Sequence, residues 1–477
     1  MTLDPDNWTD FRQQSHRMLD DMLDYQQHLR ERPVWQPIPQ AQREHFTVPL
    51  PQTESTMAQA HARFMESVLP YGPGNTHPGF FGWVQGGGTP VGMMAELLAA
   101  GLNPNLGGRD QMPIVVERQV LQWVRELFRF PDTASGLFVT GTSMANLIAL
   151  LVARTRALGP SVREQGVAGN RLVAYTSQAA HGCVAQAMDL AGLGFSALRS
   201  IPVTASFAMD IAVLEQTIAA DRAAGLQPFF ITGTAGTVDV GAVDDLEAIA
   251  DIAARERLWF HVDGAYGALG MLAQDVAPQL AGIERADSIA FDFHKWGQVP
   301  YDAGFILVRD GAQHFATFAS PAAYLRRDER GMAAASPWPC DFGPDLSRGF
   351  RALKTWFTLT VYGAERLGQM ISDTCRLARY LEQQIAARPE LELMAPVALN
   401  IVCFRYRCGS DDAGRVNADI AADLQESGIA APSVTTIHGQ LVLRAAIVNH
   451  RTTEADVDAL IRATLMFGAS RCATSHD

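Results

Sequence analysis

The chain has 477 residues, of which 48% are apolar and 19% are charged, a composition typical of globular proteins. This length is too great for one hydrophobic core, so two or three domains are expected. The formal net charge of −13 argues against nucleic acid or an anionic membrane as a partner, because both attract basic surfaces.

The first ten residues, MTLDPDNWTD, are polar and acidic, unlike a secretory signal peptide, and no apolar stretch is long enough to span a bilayer. The six cysteines contain no CxxC pair. The close spacing of Cys403 and Cys408 could suit a metal, but no cluster of His or Cys completes a site. We therefore expect a cytoplasmic protein with reduced thiols and no metal.

The N-terminal part of the chain is predicted to be helical. Apolar residues recur at helical spacing over residues 7–30, and RPVWQPIP then ends the helix with three prolines. This helix could pack on its own domain or on a neighbouring subunit. The Gly- and Pro-rich stretch 71–92 is predicted to be a loop. Its aromatic residues, Phe80, Phe81 and Trp83, indicate either a functional loop or a cap on a core.

Helices and strands alternate between about residues 110 and 310. Short apolar runs predict strands, and the longer amphipathic runs between them predict helices. The predicted strands are 136–141, 171–177, 229–236, 258–265, 288–293 and 304–310, and the predicted helices are 113–128, 143–158, 181–192 and 243–257. This pattern indicates an α/β fold with a parallel sheet covered on both faces, in which ligands bind beyond the carboxyl ends of the strands.

The C-terminal part is predicted to form a separate, smaller α+β domain of about 100 residues. Its predicted elements are a helical region from about residue 345, strands at 399–407 and 440–449, and a helix at 453–465. The predicted organisation therefore has three parts, an N-terminal helical segment (1–70), a large domain (71–370) and a C-terminal domain (371–477).

Two polar features at predicted strand ends suit an anion and a cation. VTGTSMAN places Thr142 and Ser143 at the start of a helix, where backbone N–H groups bind phosphate, although an ordinary N-cap has the same sequence. Asp263 ends an apolar strand, so its carboxylate should face a cation, unless it belongs to a structural salt bridge or a turn. Gly264 and Ala265 leave room for a flat ligand beside it.

Two further features are His181, at the start of a helix, and Lys295, which follows the apolar run SIAFDF. A lysine in a poorly solvated pocket has a lowered pKa and becomes a nucleophile, whereas an exposed lysine is the alternative. Together the four features fit pyridoxal 5′-phosphate (PLP), whose aldehyde forms a Schiff base with lysine and whose ring nitrogen pairs with an acid. No GK[ST] and no G-x-G-x-x-G is present in the corresponding turn, which argues against a P-loop or an NAD-binding Rossmann site.

From about residue 30 onward, the chain resembles the group II PLP-dependent decarboxylases, the family of aromatic-L-amino-acid decarboxylase. The resemblance is carried by AHGCVAQA, FFITGTAGT, WFHVDGAYG, FDFHKW and FRALKTWF. It implies an aspartate-aminotransferase-like fold (fold type I) with a mostly parallel sheet in the large domain. It also implies a homodimer whose active site lies at the subunit interface.

The resemblance implies roles for individual residues. Lys295 matches the Schiff-base lysine, Asp263 the acid that pairs with the ring nitrogen, and Tyr324 in SPAAYLRR the proton donor of a mobile catalytic loop. Thr142 and Ser143 match the residues of the phosphate-binding turn, and His181 and Ala265 match the residues on the two faces of the cofactor ring. Further cofactor contacts are implied for Thr234, Asp292 and His294. His181 is also predicted to be catalytic and, with Phe80 and Trp83, to contact the substrate.

The implied function is decarboxylation of an aromatic or bulky L-amino acid to its amine and CO2, through a Schiff base on Lys295. Three alternatives stay open. They are decarboxylation with deamination to an aldehyde, against which Tyr324 argues, an acidic or diamino-acid substrate, and a PLP-binding protein without turnover. Gly79, Gly182 and the glycines at 86–88 differ from relatives that act on aromatic substrates, so the substrate side chain stays open.

Overall fold

The computed structural model describes residues 2–320, 327–409 and 413–474. The helices in these ranges are α1 (Trp8–Gln27), α2 (Gln40–Glu44), α3 (Met57–Ser67), α4 (Pro90–Leu102), α5 (Met112–Phe128), α6 (Thr142–Leu158), α7 (Val162–Gln165), α8 (Cys183–Leu190), α9 (Ile211–Ala223), α10 (Leu246–Glu256), α11 (Gly311–Phe318), α12 (Arg351–Ala386), α13 (Ala413–Glu426) and α14 (Glu454–Thr474). The strands are β1 (Phe80–Phe81), β2 (Ser135–Val139), β3 (Leu172–Ser177), β4 (Leu198–Ile201), β5 (Gln227–Thr234), β6 (Trp259–Asp263), β7 (Ser288–Asp292), β8 (Gly304–Val308), β9 (Leu391–Leu393), β10 (Ile401–Tyr406), β11 (Ala431–Ile437) and β12 (Gln440–Ala446).

The chain folds into two compact units. The larger unit comprises Val84–Glu382 and Ala395–Cys403, and the smaller comprises Met1–Trp83, Gln383–Met394 and Phe404–Asp477. The three-part division at residues 70 and 370 stays a prediction.

A seven-stranded sheet, in the order β2-β8-β7-β6-β5-β3-β4, forms the centre of the larger unit. Strands β3 to β7 are parallel to one another, and only β8 runs antiparallel, against both β7 and β2. The prediction of an α/β fold with a mostly parallel sheet is confirmed. The six strands predicted for this region are all present, whereas β4, α7, α9 and α11 were not predicted.

The core of the larger unit lies between α6 and the sheet. Ile148 and Val152 of α6 pack with Phe230, Trp259 and Ile306 from three different strands, and all five side chains are buried. Strands buried on both faces need continuous apolar sequence, which explains why simple apolar runs were sufficient to locate them.

The smaller unit contains a mixed five-stranded sheet, in the order β1-β11-β12-β10-β9. β11 and β12 form an antiparallel hairpin, and α13 packs against it and against α14. The prediction that 71–92 is entirely loop is wrong at Phe80–Phe81, which pairs in parallel with β11, and at its end, where α4 begins at Pro90. Phe80 is buried there against Val34 and Ala431. β9, β11 and α13 were not predicted.

A disulfide joins Cys408, beyond the end of β10, to Cys472 in α14, with a Cα–Cα distance of 6.0 Å. The expectation of reduced thiols is therefore wrong for this pair. It holds for Cys183, Cys340 and Cys375, which are free. Because Cys408 is bonded to another cysteine, it does not form a metal site with Cys403.

The longest helix, α12, has 36 residues and is interrupted at Gly363, where φ is 71°. This left-handed conformation favours glycine, since other residues adopt it only at a cost. Neither α12 nor any other helix in the described ranges combines the length and the apolarity required to cross a membrane.

Candidate active site

The carboxyl ends of β5, β6 and β7 bring three polar side chains to one edge of the large sheet. Thr234, Asp263 and Asp292 are the last residues of these strands, and Thr234 is paired directly with Asp263. β2 runs in the same direction as β7, because both are antiparallel to β8. The turn at Gly141 and Thr142, which follows β2, therefore lies at the same edge.

Lys295 is held by Asp292, three residues earlier in the chain. Its Nζ lies 2.9 Å from Asp292 Oδ2, and its side chain is 23% exposed whereas that of Asp292 is 3% exposed. The other carboxylate oxygen of Asp292 accepts a hydrogen bond of 2.8 Å from the backbone N–H of Thr142. One carboxylate thus connects the start of α6 with the lysine amine.

His294 is a neutral imidazole in a fixed orientation. Its Nδ1 accepts a hydrogen bond of 2.9 Å from the backbone N–H of Ala303, so the ring proton is on Nε2. That Nε2 lies 3.7 Å from Asp292 Oδ2. Burial lowers the pKa of His294, and its ring contacts Tyr301 at 4.3 Å between centroids.

The turn between β2 and α6 is closely packed and has unused polar groups. A Cβ on Gly304 would lie 2.4 Å from the Cα of Gly141, so the backbones of β8 and the turn are in direct contact. Among the described residues, the buried hydroxyls of Thr142 and Thr234 have no hydrogen-bond partner. Small residues, unpartnered hydroxyls and a helix N-terminus are groups that suit a phosphate.

Asp263 is a buried carboxylate that is held by hydrogen bonds. Its Oδ1 accepts a hydrogen bond of 3.1 Å from the backbone N–H of Ala265, and its Oδ2 accepts one of 3.0 Å from the side-chain amide of Asn146. No Lys, Arg or His in the described part of the chain forms an ion pair with it, although the positive charge of Lys295 acts on it. Burial raises the pKa of Asp263, and the Asn146 hydrogen bond and Lys295 lower it. A cationic ring nitrogen would suit this carboxylate.

These residues fit PLP, because they offer donors for a phosphate, an acid for a ring nitrogen and an amine for an aldehyde. The family model described as "Pyridoxal-dependent decarboxylase conserved domain" matches residues 39–407. The chain belongs to the pyridoxal-dependent decarboxylase family.

Individual relatives agree with this membership. The decarboxylase is 31% identical over 455 residues to an aromatic-L-amino-acid decarboxylase of Bacillus atrophaeus, covering 93% of this chain and 92% of that one. It is 32% identical over 409 residues to an L-2,4-diaminobutyrate decarboxylase of Rhizobium meliloti (strain 1021), covering 85% and 81%. Its structure is similar to the crystal structure of Oryza sativa TDC with PLP and tryptamine, with a TM-score of 0.89, 26% identity, and 98% and 99% coverage.

The family membership confirms the predicted cofactor, PLP, and the predicted enzyme class, a PLP-dependent amino-acid decarboxylase. The structural similarity confirms the fold type I architecture.

Other predicted site residues of the decarboxylase lie around this strand-end edge. His181 is exposed just before α8, and its Nδ1 accepts a hydrogen bond of 3.2 Å from the backbone N–H of Cys183. Ala265 contacts both carboxylate-bearing strands, since its N–H binds Asp263 and its carbonyl accepts from the N–H of Asp292 at 2.9 Å. Ser143 is exposed in the first turn of α6.

The predicted substrate contacts and proton donor are not assigned by the structure of the decarboxylase. Phe80, which is 3% exposed, and Trp83, which is 58% exposed, belong to the smaller unit, and their contact with substrate stays a prediction. Tyr324 lies outside the described residues.

Sequence reasoning missed several residues that contact the predicted set. Asn146 was quoted only as the end of a motif, although its position four residues after Thr142 places it one helical turn further along the same face of α6. The sulfur of Cys183 lies 3.9 Å from Asp263 Oδ2. Gly86 packs on the lysine backbone, because a Cβ there would lie 2.5 Å from the carbonyl oxygens of both His294 and Lys295. The run of three glycines at 86–88 was the sequence signal for this close backbone contact.

Proposed function

We propose that this decarboxylase carries its cofactor on Lys295 and converts an aromatic or otherwise bulky L-amino acid to the amine and CO2. The observation that carries this proposal is the buried carboxylate of Asp263, which has no ion-pair partner within residues 2–320, 327–409 and 413–474 and lies at the same end of the sheet as Lys295. When bound, PLP supplies an electron sink for the bond that breaks at the substrate Cα.

The residues around this site would position the cofactor and the lysine amine. Asp263, kept in place by Ala265 and Asn146, would hold a proton on the ring nitrogen. The first turn of α6, with Thr142 and Ser143, would hold the phosphate. Thr234, whose hydroxyl has no hydrogen-bond partner among the described residues, would make a further contact with the cofactor. Asp292 would orient the amine of Lys295.

The remaining roles concern the faces of the ring and the last proton transfer. Ala265 is small enough to allow close approach to one face, and the exposed imidazole of His181 would cover the other. His294 would keep its Nε2–H directed at Asp292. We assign to Tyr324 the delivery of a proton to the substrate Cα after CO2 has left, because a phenol is a suitable general acid.

The choice of substrate rests on relatives and on the aromatic residues near position 80. The Bacillus atrophaeus relative is named for aromatic L-amino acids, and the Oryza sativa structure contains tryptamine. Trp83 is 58% exposed, so its ring would suit an aromatic side chain, whereas Phe80 is buried against Val34 and Ala431. The second candidate is a diamino acid, which is favoured by the similarity to the Rhizobium meliloti enzyme.

A screen of the purified, PLP-loaded protein separates these candidates. The twenty amino acids and L-2,4-diaminobutyrate are each supplied, and CO2, amine, aldehyde and peroxide are measured. We expect amine and CO2 from tryptophan, tyrosine or phenylalanine at rates above those of all other substrates. Preference for diaminobutyrate would support the second candidate, aldehyde with peroxide would support oxidative deamination, and no CO2 from any substrate would support a binding protein without turnover.

We also propose a cytoplasmic homodimer with its site at the subunit interface. Two features within the separate units support association. α4 exposes Leu97, Leu98 and Leu102, each more than half exposed, and α1 buries none of its residues although it carries Trp8 and Phe11. Contiguous exposed apolar surface is typical of an interface.

Sedimentation velocity tests the association. Leu98→Glu should shift the protein toward monomer, whereas Leu190→Glu, on the exposed side of α8, should not. An unchanged dimer in the Leu98 variant would place the interface elsewhere, and a wild-type monomer would refute the dimer. Cell fractionation with an antibody tests the cytoplasmic location.

A further inference from the structure

A continuous chain of hydrogen bonds extends from the core of the larger unit to Asp263. The indole N–H of Trp259 donates to Ser288 Oγ at 2.8 Å, and that hydroxyl lies 2.8 Å from His261 Nδ1. His261 Nε2 lies 2.8 Å from Asn146 Oδ1, and Asn146 Nδ2 donates to Asp263 Oδ2 at 3.0 Å. We call these five residues the core hydrogen-bond chain.

The strand pattern places the core hydrogen-bond chain on one face of the sheet. Trp259, His261 and Asp263 alternate along β6, so their side chains point to the same face. Ser288 of β7 is paired directly with His261, and Asn146 extends from α6, which covers this face. All five side chains are 3% exposed or less. A buried polar chain in an apolar core is costly unless each member is satisfied.

The direction of every hydrogen bond follows from the two ends of the chain. The indole of Trp259 can only donate, and the ionised carboxylate of Asp263 can only accept. The amide of Asn146 must therefore turn its NH2 to Asp263 and its oxygen to His261. His261 then carries its proton on Nε2 and accepts on Nδ1 from the hydroxyl of Ser288, which accepts from Trp259.

This arrangement satisfies each polar group once and points every donor toward Asp263. The second hydrogen of the Asn146 amide is directed at Cys183 Sγ, 3.2 Å away, so the amide has no reason to rotate. The chain requires a neutral His261, and burial lowers the pKa of that imidazole to about 3. Hydrogen bonds aligned in series polarise one another and favour negative charge on the last acceptor.

We propose that Asn146 and His261 are positioning residues that keep Asp263 ionised and directed at the cofactor's ring nitrogen. This inference rests on the proposed role of Asp263 as the partner of that nitrogen. Without the N–H of His261, the side-chain oxygen of Asn146 is buried without its donor, so the amide is held less firmly and its hydrogen bond to Asp263 weakens. The resulting loss of cofactor affinity would act through Asp263. It should therefore occur only with a cofactor that has a ring nitrogen.

Binding of two ligands to the apoenzyme tests this dependence without measuring activity. The first ligand is PLP, and the second is the 1-deaza analogue, in which a C–H group replaces the ring nitrogen. Dissociation constants for both are measured in wild type and in His261→Phe, His261→Gln, Asn146→Leu and Thr232→Val. The quantity compared is the preference for PLP over the analogue.

We expect wild type to prefer PLP, and His261→Phe and Asn146→Leu to reduce that preference at least about tenfold while binding of the analogue changes less than about threefold. His261→Gln keeps an N–H for Asn146 and should retain most of the preference. Thr232→Val is the matched control, because Thr232 is fully buried beside His261 on β5 and, in the described ranges, its hydroxyl has no hydrogen-bond partner.

Each outcome of this test supports or overturns the inference. Binding of the analogue shows that a variant is folded, and Asn146→Leu, which is nearly isosteric, provides the result if His261→Phe does not fold. If PLP and the analogue weaken in parallel, the chain has only a structural role and the inference is wrong. If wild type itself shows no preference, or if Asp263→Asn retains it, the proposed role of Asp263 fails, and the inference fails with it for a distinguishable reason.

Discussion

Replacing Arg348 by methionine should destabilise the larger unit by separating α5 from β2. The guanidinium of Arg348 contacts both carboxylate oxygens of Glu117, at 2.6 and 3.2 Å. It also donates to the backbone carbonyls of Leu106 and Phe138, at 3.0 and 2.9 Å. The side chains of Arg348 and Glu117 are only 1% and 7% exposed.

The expected loss of stability follows from the buried groups that lose their contact with Arg348. Methionine fills the space of the arginine stem, but the buried carboxylate of Glu117 loses its ion-pair partner and keeps the backbone N–H of Phe138 at 3.4 Å. The carbonyl groups of Leu106 and Phe138 each lose the donor from Arg348. Removal of one member of a buried ion pair costs about 3–5 kcal/mol. At about 2 °C per kcal/mol for a unit of this size, the melting temperature should fall by about 6–10 °C. Because β2 leads into the turn at Gly141, affinity for PLP should fall as well.

Differential scanning calorimetry measures this effect, and a double variant identifies its cause. Arg348→Met combined with Glu117→Leu removes both buried charges and leaves only neutral backbone groups, the two carbonyls and the N–H of Phe138, without these side-chain partners, so it should recover about half of the loss. Arg285→Met is the control, because its 2.7 Å pair with Asp251 is exposed and surface pairs contribute little. If the Glu117 and Arg348 substitutions lower the melting temperature additively, an uncompensated charge is not the cause.

Four further predictions concern the site and the acid stability of the fold. Lys295→Ala should lose the PLP adduct that borohydride fixes, and mass spectrometry that finds the adduct on another lysine would contradict the assignment. Asp263→Asn should fold normally but lose at least about 99% of the decarboxylation rate, because a neutral amide cannot hold a charged ring nitrogen; a rate near that of wild type would refute its role. Tyr324→Phe keeps the ring but lacks the proton donor, so aldehyde, ammonia and peroxide should replace amine among the products, and unchanged amine formation would show that another group delivers the proton. Burial lowers the pKa of His314 to about 4, so stability should fall as the pH decreases from about 6.5 to 4, by about 1.4 kcal/mol per pH unit. His314→Gln should lose less stability over that range in pH-dependent unfolding, and equal losses would mean that other groups are responsible.

The sequence predicted the strands that carry the site because their signal is local. β5, β6 and β7 are mostly apolar, and the polar residue that ends each of them marks the carboxyl end of the sheet. β4 was missed because it is a short strand at the edge of the sheet whose residues are mostly not fully buried. β1 has only two residues, so its pairing with β11 is a tertiary contact that no local pattern contains.

The chemistry of the site was predicted residue by residue, whereas the partners of these residues were not. The sequence required a partner for Lys295, and the structure gives Asp292. It required a cation for Asp263, and the structure instead gives two N–H donors, from Asn146 and Ala265. Asn146 and His261 are distant in sequence from each other, and only the packing of α6 on the sheet brings them into contact. Periodicity gives the face on which a side chain lies, but not the group opposite it.

The glycine contacts determine which parts of this enzyme are open to engineering. Gly86 touches the backbone of His294 and Lys295, and Gly304 touches Gly141, so any side chain at positions 86 or 304 would displace main chain. Substitution there changes the framework and not the shape of a pocket. Gly182, by contrast, has open space where a side chain would be. A mutant library directed at new substrates should therefore keep Gly86 and Gly304 fixed and vary position 182, where a side chain has room without moving the backbone.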